Sequence, residues 1–176
     1  MKYTQEYFDN IERNAPYLLD HARYLEVLSN ESDRGAVLVT AQMLDNTLEK
    51  LLRARLAEGK GADKLLKDEF APLGTFSAKI AAAHALAIVP ENWRRELDLL
   101  RDIRNKLAHS ITARLDDQSI LDKCNALRLC LPNVAKDAAS ARRRYWESAT
   151  LMIFNSLNHL NEGGVWRIPS PKEKQT

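Results

Sequence analysis

Between residues 101 and 109 the chain reads RDIRNKLAH, and four of these side chains could handle a phosphate. Arg101, Asn105 and His109 recur every four residues and so align along one flank of a helix. Arg104 stands about 100° round the axis from Asn105. Arginine offers a fixed fork of N–H donors, asparagine can orient a neighbour, and histidine exchanges protons near neutral pH. Together they are the parts of a metal-independent ribonuclease: a base for the 2′-hydroxyl, an acid for the leaving oxygen and a cation for the charged phosphorane. The plainer reading makes the same residues a polar helix end. His109, with Lys106, then complements the macrodipole and hydrogen-bonds the last carbonyls, while Arg101 and Arg104 pair with Asp98, Asp102 or an acid of another helix. This structural or interface reading is preferred, so no catalytic residue is assigned; Arg104, Asn105 and His109 are the catalytic set of the alternative.

Two further clusters invite the same pair of readings. In SDRG, Ser32 or Asp33 is a good N-cap and Arg34 an exposed first-turn residue; the functional alternative brings Asp33 and Arg34 beside Arg101, Arg104, Asn105 and His109 as one polar pocket or interaction site. The densest basic run is Arg142, Arg143 and Arg144, followed by Tyr145 and Trp146. It could touch a nucleic-acid backbone, but three consecutive helical residues spread over about 200° and cannot share one groove. A solvated basic patch is the expected form, with Tyr145 and Trp146 as core or interface aromatics.

No metal or cofactor is expected. His21, His84, His109 and His159 are scattered through different segments, and Cys124 and Cys130 form no CxxC pair. Those two cysteines read as lying on one helix, where six residues separate their Cα atoms by about 9 Å, too far for a disulfide. Two reduced, half-buried thiols are expected.

The elements that must position these groups are all helical. Apolar spacing and the placement of glycine and proline predict helices over about Thr4–Asn14 and Tyr17–Ser29, then a long central helix from Ser32 or Asp33 up to the GKG break at 59–61. Short helical turns follow around DKLLKDEF. Thr75 caps an alanine-rich helix, and PENWRRELDLLRDIRNKLAH places Trp93, Leu97, Leu100, Ile103 and Leu107 on one face. SILDKCNALRLC forms another helix, and a long final one runs from about Val134 to Asn161, closed by Gly163 and Gly164. The fold class is an all-α, multi-helix bundle: one domain over 1–164 and an irregular tail over 165–176. A single domain of 176 residues buries roughly 70% of its unfolded surface, which suffices for a core without a staple.

Composition narrows the function classes. With 26 basic and 24 acidic residues the net charge is +2, unlike the clear basic excess of a dedicated nucleic-acid binder. No pair of helices has the tight turn and recognition helix of a DNA-reading module. Direct DNA binding is not expected, and RNA is a partner only under the nuclease alternative. Apolar runs such as AVLV and LMIF are far shorter than the roughly 20 residues that span a bilayer, and the N-terminus lacks a signal-like apolar core, so a cytoplasmic location is expected.

Arg104, Asn105 and His109 resemble the Arg-Asn-x-x-x-His signature of HEPN domains, helical bundles in whose catalytic members the Arg and His of two protomers meet across a dimer interface. Longer stretches resemble the mannitol operon repressor (MltR) family: ESDRGAVLVTAQMLDNTLEKLLRARL, PLGTFSAKIAAAHALAIV and LRDIRNKLAH, in that order and over about the middle half of the chain. That resemblance implies an all-helical bacterial protein associated with negative control of mannitol uptake and use. Homodimerisation and a protein partner in transcriptional control are implied in place of direct operator binding.

Overall fold

The structure is a computed structural model that describes residues 4–68, 70–130 and 135–163. Among these, eight α-helices and no strand occur: α1 (Gln5–Asn14), α2 (Leu19–Asn30), α3 (Asp33–Arg53), α4 (Lys60–Leu66), α5 (Phe76–Ala85), α6 (Glu91–His109), α7 (Gln118–Ala126) and α8 (Ala141–Asn161). A single 3-10 turn over Pro16–Leu18 leads into α2. The expected all-α bundle is therefore the fold; the tail at 165–176 lies outside the described residues. No described helix is long and apolar enough to cross a membrane.

Local sequence explains three of the eight helix starts. Thr4, Ser32 and Thr75 each accept a hydrogen bond from the backbone N–H three residues on, satisfying a donor that the first turn leaves free. α3 and α8 form the central pair, and α3 also packs on α2, α5 and α6. Leu44, Leu48 and Leu52 of α3 meet Leu97, Leu100, Ile103 and Leu107 of α6 and Tyr145, Met152 and Ile153 of α8 in one core cluster.

Three helix ends differ from the sequence expectation, each for a physical reason. α3 stops at Arg53, short of Gly59, because the next residues tighten into i→i+3 bonds from Arg55 N to Leu52 O and Leu56 N to Arg53 O. α7 stops at Ala126: the buried Glu96 carboxylate accepts from Arg128 N at 2.8 Å and Leu129 N at 2.9 Å, drawing the chain off the helix axis. Cys124 and Cys130 are thus not on one helix. Both are free, but Cys124 is fully buried, and burial pushes its thiol up to about 11; only Cys130 is half-buried. α8 begins at Ala141, not near Val134, because the Arg144 guanidinium donates to the carbonyls of Ala135 and Asp137 and holds that stretch as turns.

At the other end of α8 Gly163 takes the left-handed conformation, φ +64°, and its N–H bonds Leu160 O, as a C-terminal glycine should. Ala87 adopts the same conformation after α5, φ +54°, where a Cβ is disfavoured.

Candidate functional site

α6 presents two faces. Leu97, Leu100, Ile103 and Leu107 are buried, which leaves the charged flank to make a chain of ion pairs. Arg94 bridges Glu91 and Asp98 at 2.6 Å each, and hydrogen bonds from Arg94 and Arg95 hold the Glu91 carboxyl down to about 2. Arg101 continues the chain, pairing with Asp98 at 3.4 Å and Asp102 at 3.2 Å and donating to Ser77 Oγ at 2.7 Å. It therefore ties α6 to the start of α5. This is the pairing with Asp98 and Asp102 that the sequence suggests.

Arg104 differs from its neighbours. It is half-buried, donates to Asn105 Oδ1 at 3.0 Å and has no carboxylate partner among the described residues. Arg101, Arg104 and Asn105 line a polar cleft of about 310 Å³ together with Gln42 and Asp45 of α3 and Thr75 at the head of α5. His109 does not line this cleft. It is exposed at the last position of α6 and makes no hydrogen bond to a described residue.

The helix-end duty expected of His109 falls to Arg34. From the first turn of α3, its guanidinium donates to Leu107 O, to Ile111 O at 2.9 Å and to Ala113 O at 3.0 Å. One planar fork thus closes the C-terminus of α6 and fixes the loop beyond it, where orphan carbonyls and the negative end of the macrodipole favour a cation. Arg34 is consequently half-buried and not an exposed first-turn residue. Asp33 beside it pairs with Arg142 at 3.0 Å. Asp33 and Arg34 line a second cleft, of about 840 Å³, with Leu107, Ile111 and Arg142. Five of the six residues of the expected pocket are thus divided between two clefts, Arg101, Arg104 and Asn105 in one and Asp33 and Arg34 in the other, with His109 outside both.

Arg142, Arg143 and Arg144 do not form a solvated patch. Arg144 is 0% exposed and donates to Cys124 O at 3.1 Å, Asp137 O at 3.1 Å and Ala135 O. Arg142 donates to Leu28 O and Glu31 O besides its pair with Asp33, which locks α8 to the α2–α3 junction. Arg143 alone is exposed, paired with Glu147 at 2.6 Å. Tyr145 is buried in the core, where its hydroxyl donates toward Val37 O and Leu100 O.

Two buried charges were not singled out from the sequence. Glu96, 3% exposed, accepts from Ser148 Oγ at 2.7 Å in addition to the Arg128 and Leu129 amides. Lys79, also 3% exposed, reaches Asp45 at 3.0 Å and Glu49 at 3.4 Å. Burial raises the Glu49 carboxyl, but Arg53 and Lys79 outweigh it and leave the group below its usual value. A signal existed: Glu96 falls on the stripe of Trp93, Leu97 and Leu100, and Lys79 on that of Phe76, Ile80 and Ala83. Among the described residues no three His, Cys, Asp or Glu are grouped to hold a metal.

No family model and no curated protein matches the chain. Among solved structures it is similar to a chain of the X-ray structure of the MtlR–HPr complex from Escherichia coli, with 20% identity and a TM-score of 0.52 over 82% of this chain and 98% of that one. At this identity the likeness is one of fold.

Proposed function

We propose that the chain is a non-enzymatic negative regulator of transcription, of the kind its resemblance to the mannitol operon repressors implies, working in the cytoplasm as a homodimer through protein contacts. The observation that carries this reading is the fold shared with a chain of the MtlR–HPr complex, since that neighbour is part of an assembly with another protein. Side-chain chemistry supports it. Most arginines that could have served a nucleic acid are engaged with carbonyls or carboxylates, as Arg34, Arg101, Arg142 and Arg144 are.

Titration calorimetry of the purified chain with HPr tests the reading directly. A stoichiometric complex is expected, alongside only weak, salt-sensitive retention of promoter DNA. Nanomolar binding to one promoter by the chain alone, surviving excess unrelated DNA at physiological salt, would overturn it.

A second reading, a HEPN-type endoribonuclease, is favoured by one feature: Arg104 has no carboxylate partner among the described residues at an open cleft, and His109 is exposed on the same helix end. It requires a symmetric dimer that brings these groups together. Cleavage of single-stranded RNA in EDTA, lost in both Arg104→Ala and His109→Ala variants at unchanged melting temperature, would establish it in place of the first.

A further inference from the structure

The cleft between α3, the head of α5 and α6 carries one positive charge that nothing around it balances. Arg101 is paired with Asp98 at 3.4 Å and Asp102 at 3.2 Å. Asp45, on the α3 wall, is paired with the buried Lys79 at 3.0 Å. Arg104 is the exception: it donates to Asn105 Oδ1 at 3.0 Å and has no other acceptor among the described residues. A guanidinium has five N–H donors in a fixed fork, so most of those of Arg104 are left over. Because Asn105 turns its oxygen to Arg104, its amide nitrogen also remains a donor without a described acceptor. Arg104 and Asn105 are half-buried and line the cleft, so both side chains are within reach of a molecule that enters it.

The rest of the wall sets the shape of that molecule. Leu38 and Ala41 of α3 and Phe76 of α5 give the cleft an apolar side opposite in character to the arginines. Its volume, about 310 Å³, is at the lower limit of small-molecule sites. A compact body with one polar end fits such a wall.

Charge then separates the oxyanions. A phosphate monoester carries about −1.5 to −2 at neutral pH, which would place uncompensated negative charge beside the Asp45 carboxylate. A single carboxylate balances Arg104 and leaves no surplus, and its two oxygens match two parallel N–H groups of the fork. A neutral ligand would leave the cation as unpaired as before.

We propose that this cleft binds a small monocarboxylate with a compact apolar body, its carboxylate held by Arg104 and Asn105 and its body against Leu38, Ala41 and Phe76. The inference stands on the cleft alone and does not depend on the regulatory role.

Fluorine NMR titration of the full chain with 4-fluorobenzoate tests it. Saturable one-to-one binding in the submillimolar range is expected, with displacement by benzoate and not by benzyl alcohol. Phenyl phosphate and acetate should each compete about tenfold less well than benzoate, the first for its extra charge and the second for its missing ring. Arg104→Gln removes the charge at similar length and should weaken binding by about tenfold or more, and Arg104→Lys, which keeps the charge without the fork, by about threefold. Gln42→Trp, at an exposed position of the wall, fills the cleft with Arg104 intact and should also weaken binding by about tenfold. Arg143→Ala, at an exposed arginine of α8, should leave the constant unchanged. The proposal is overturned if no saturable binding occurs, or if benzyl alcohol, phenyl phosphate or acetate competes as well as benzoate. It is equally overturned if folded Arg104→Gln binds as the parent or if Arg143→Ala weakens binding as much. Should Arg104→Gln not fold, parent-like binding by Gln42→Trp overturns it.

Discussion

The end of α6 and the start of α8 are both arginine-rich, yet they use arginine in opposite ways. At α8, Arg144 is fully buried and three carbonyls surround its guanidinium. At α6, Arg104 is half-buried beside an open cleft, with Asn105 as its hydrogen-bond partner. Arg34 lies between these extremes: it comes from another helix to satisfy Leu107, Ile111 and Ala113. An arginine's role follows from how many unsatisfied acceptors the fold brings within reach. Clustering along the chain carries little of that information, for ARRR contains one buried staple, one interhelical lock and one exposed ion pair.

Substitution at the buried extreme should have the largest effect. Arg144→Ala strands carbonyls of Cys124, Ala135 and Asp137 and opens a cavity, and is expected to cost about 3 to 5 kcal/mol in urea unfolding. Arg144→Lys should recover only part of this loss, because an ammonium cannot present the planar fork. If Arg144→Ala unfolds at the parent's urea midpoint, the contrast between the two regions is gone.

Glu96→Gln comes next. The amide keeps the shape but holds the Arg128 and Leu129 amides and the Ser148 hydroxyl through a neutral acceptor, which should cost about 2 kcal/mol in the same measurement. Arg34→Ala should cost about 1 to 2 kcal/mol and raise amide hydrogen exchange at the end of α6 and in residues 110–113, with α8 unaffected. Exchange rising equally in both regions would show that Arg34 serves the whole fold and not one helix end.

The smallest effects belong to the residues that look most catalytic. His109→Ala should change stability by less than about 0.5 kcal/mol, since His109 is exposed and makes no hydrogen bond to a described residue. A loss above 1 kcal/mol would restore to His109 the helix-end role that the sequence suggests. Ala87→Gly should act in the other direction, raising stability by about 0.5 to 1 kcal/mol by relieving the left-handed backbone at φ +54°. A fall in melting temperature would mean that the Ala87 methyl contributes more than its backbone strain costs.

Much of the fold was legible in local patterns. The caps at Thr4, Ser32 and Thr75, the apolar stripe of α6 and the glycine after α8 each act within one or two turns, so residue type and spacing suffice to read them. The premature ends of α3 and α7 and the late start of α8 were not. Those of α7 and α8 depend on Glu96 and Arg144, whose partners stand up to 52 residues away in the chain. The site divides along the same line. Pairing of Arg101 with Asp98 and Asp102 is an intrahelical or adjacent contact and could be anticipated.

The sequence by itself determined an all-helical bundle, because periodicity of about 3.6 residues and capping chemistry are local properties of the chain. It also determined which side chains were available for chemistry along α6. Only the tertiary structure decided that Arg34 closes α6 in place of His109 and that Arg144 is a buried staple. Each depends on which helices pack together, and a polar side chain's hydrogen-bond partners are fixed by distance in space, which local sequence does not encode.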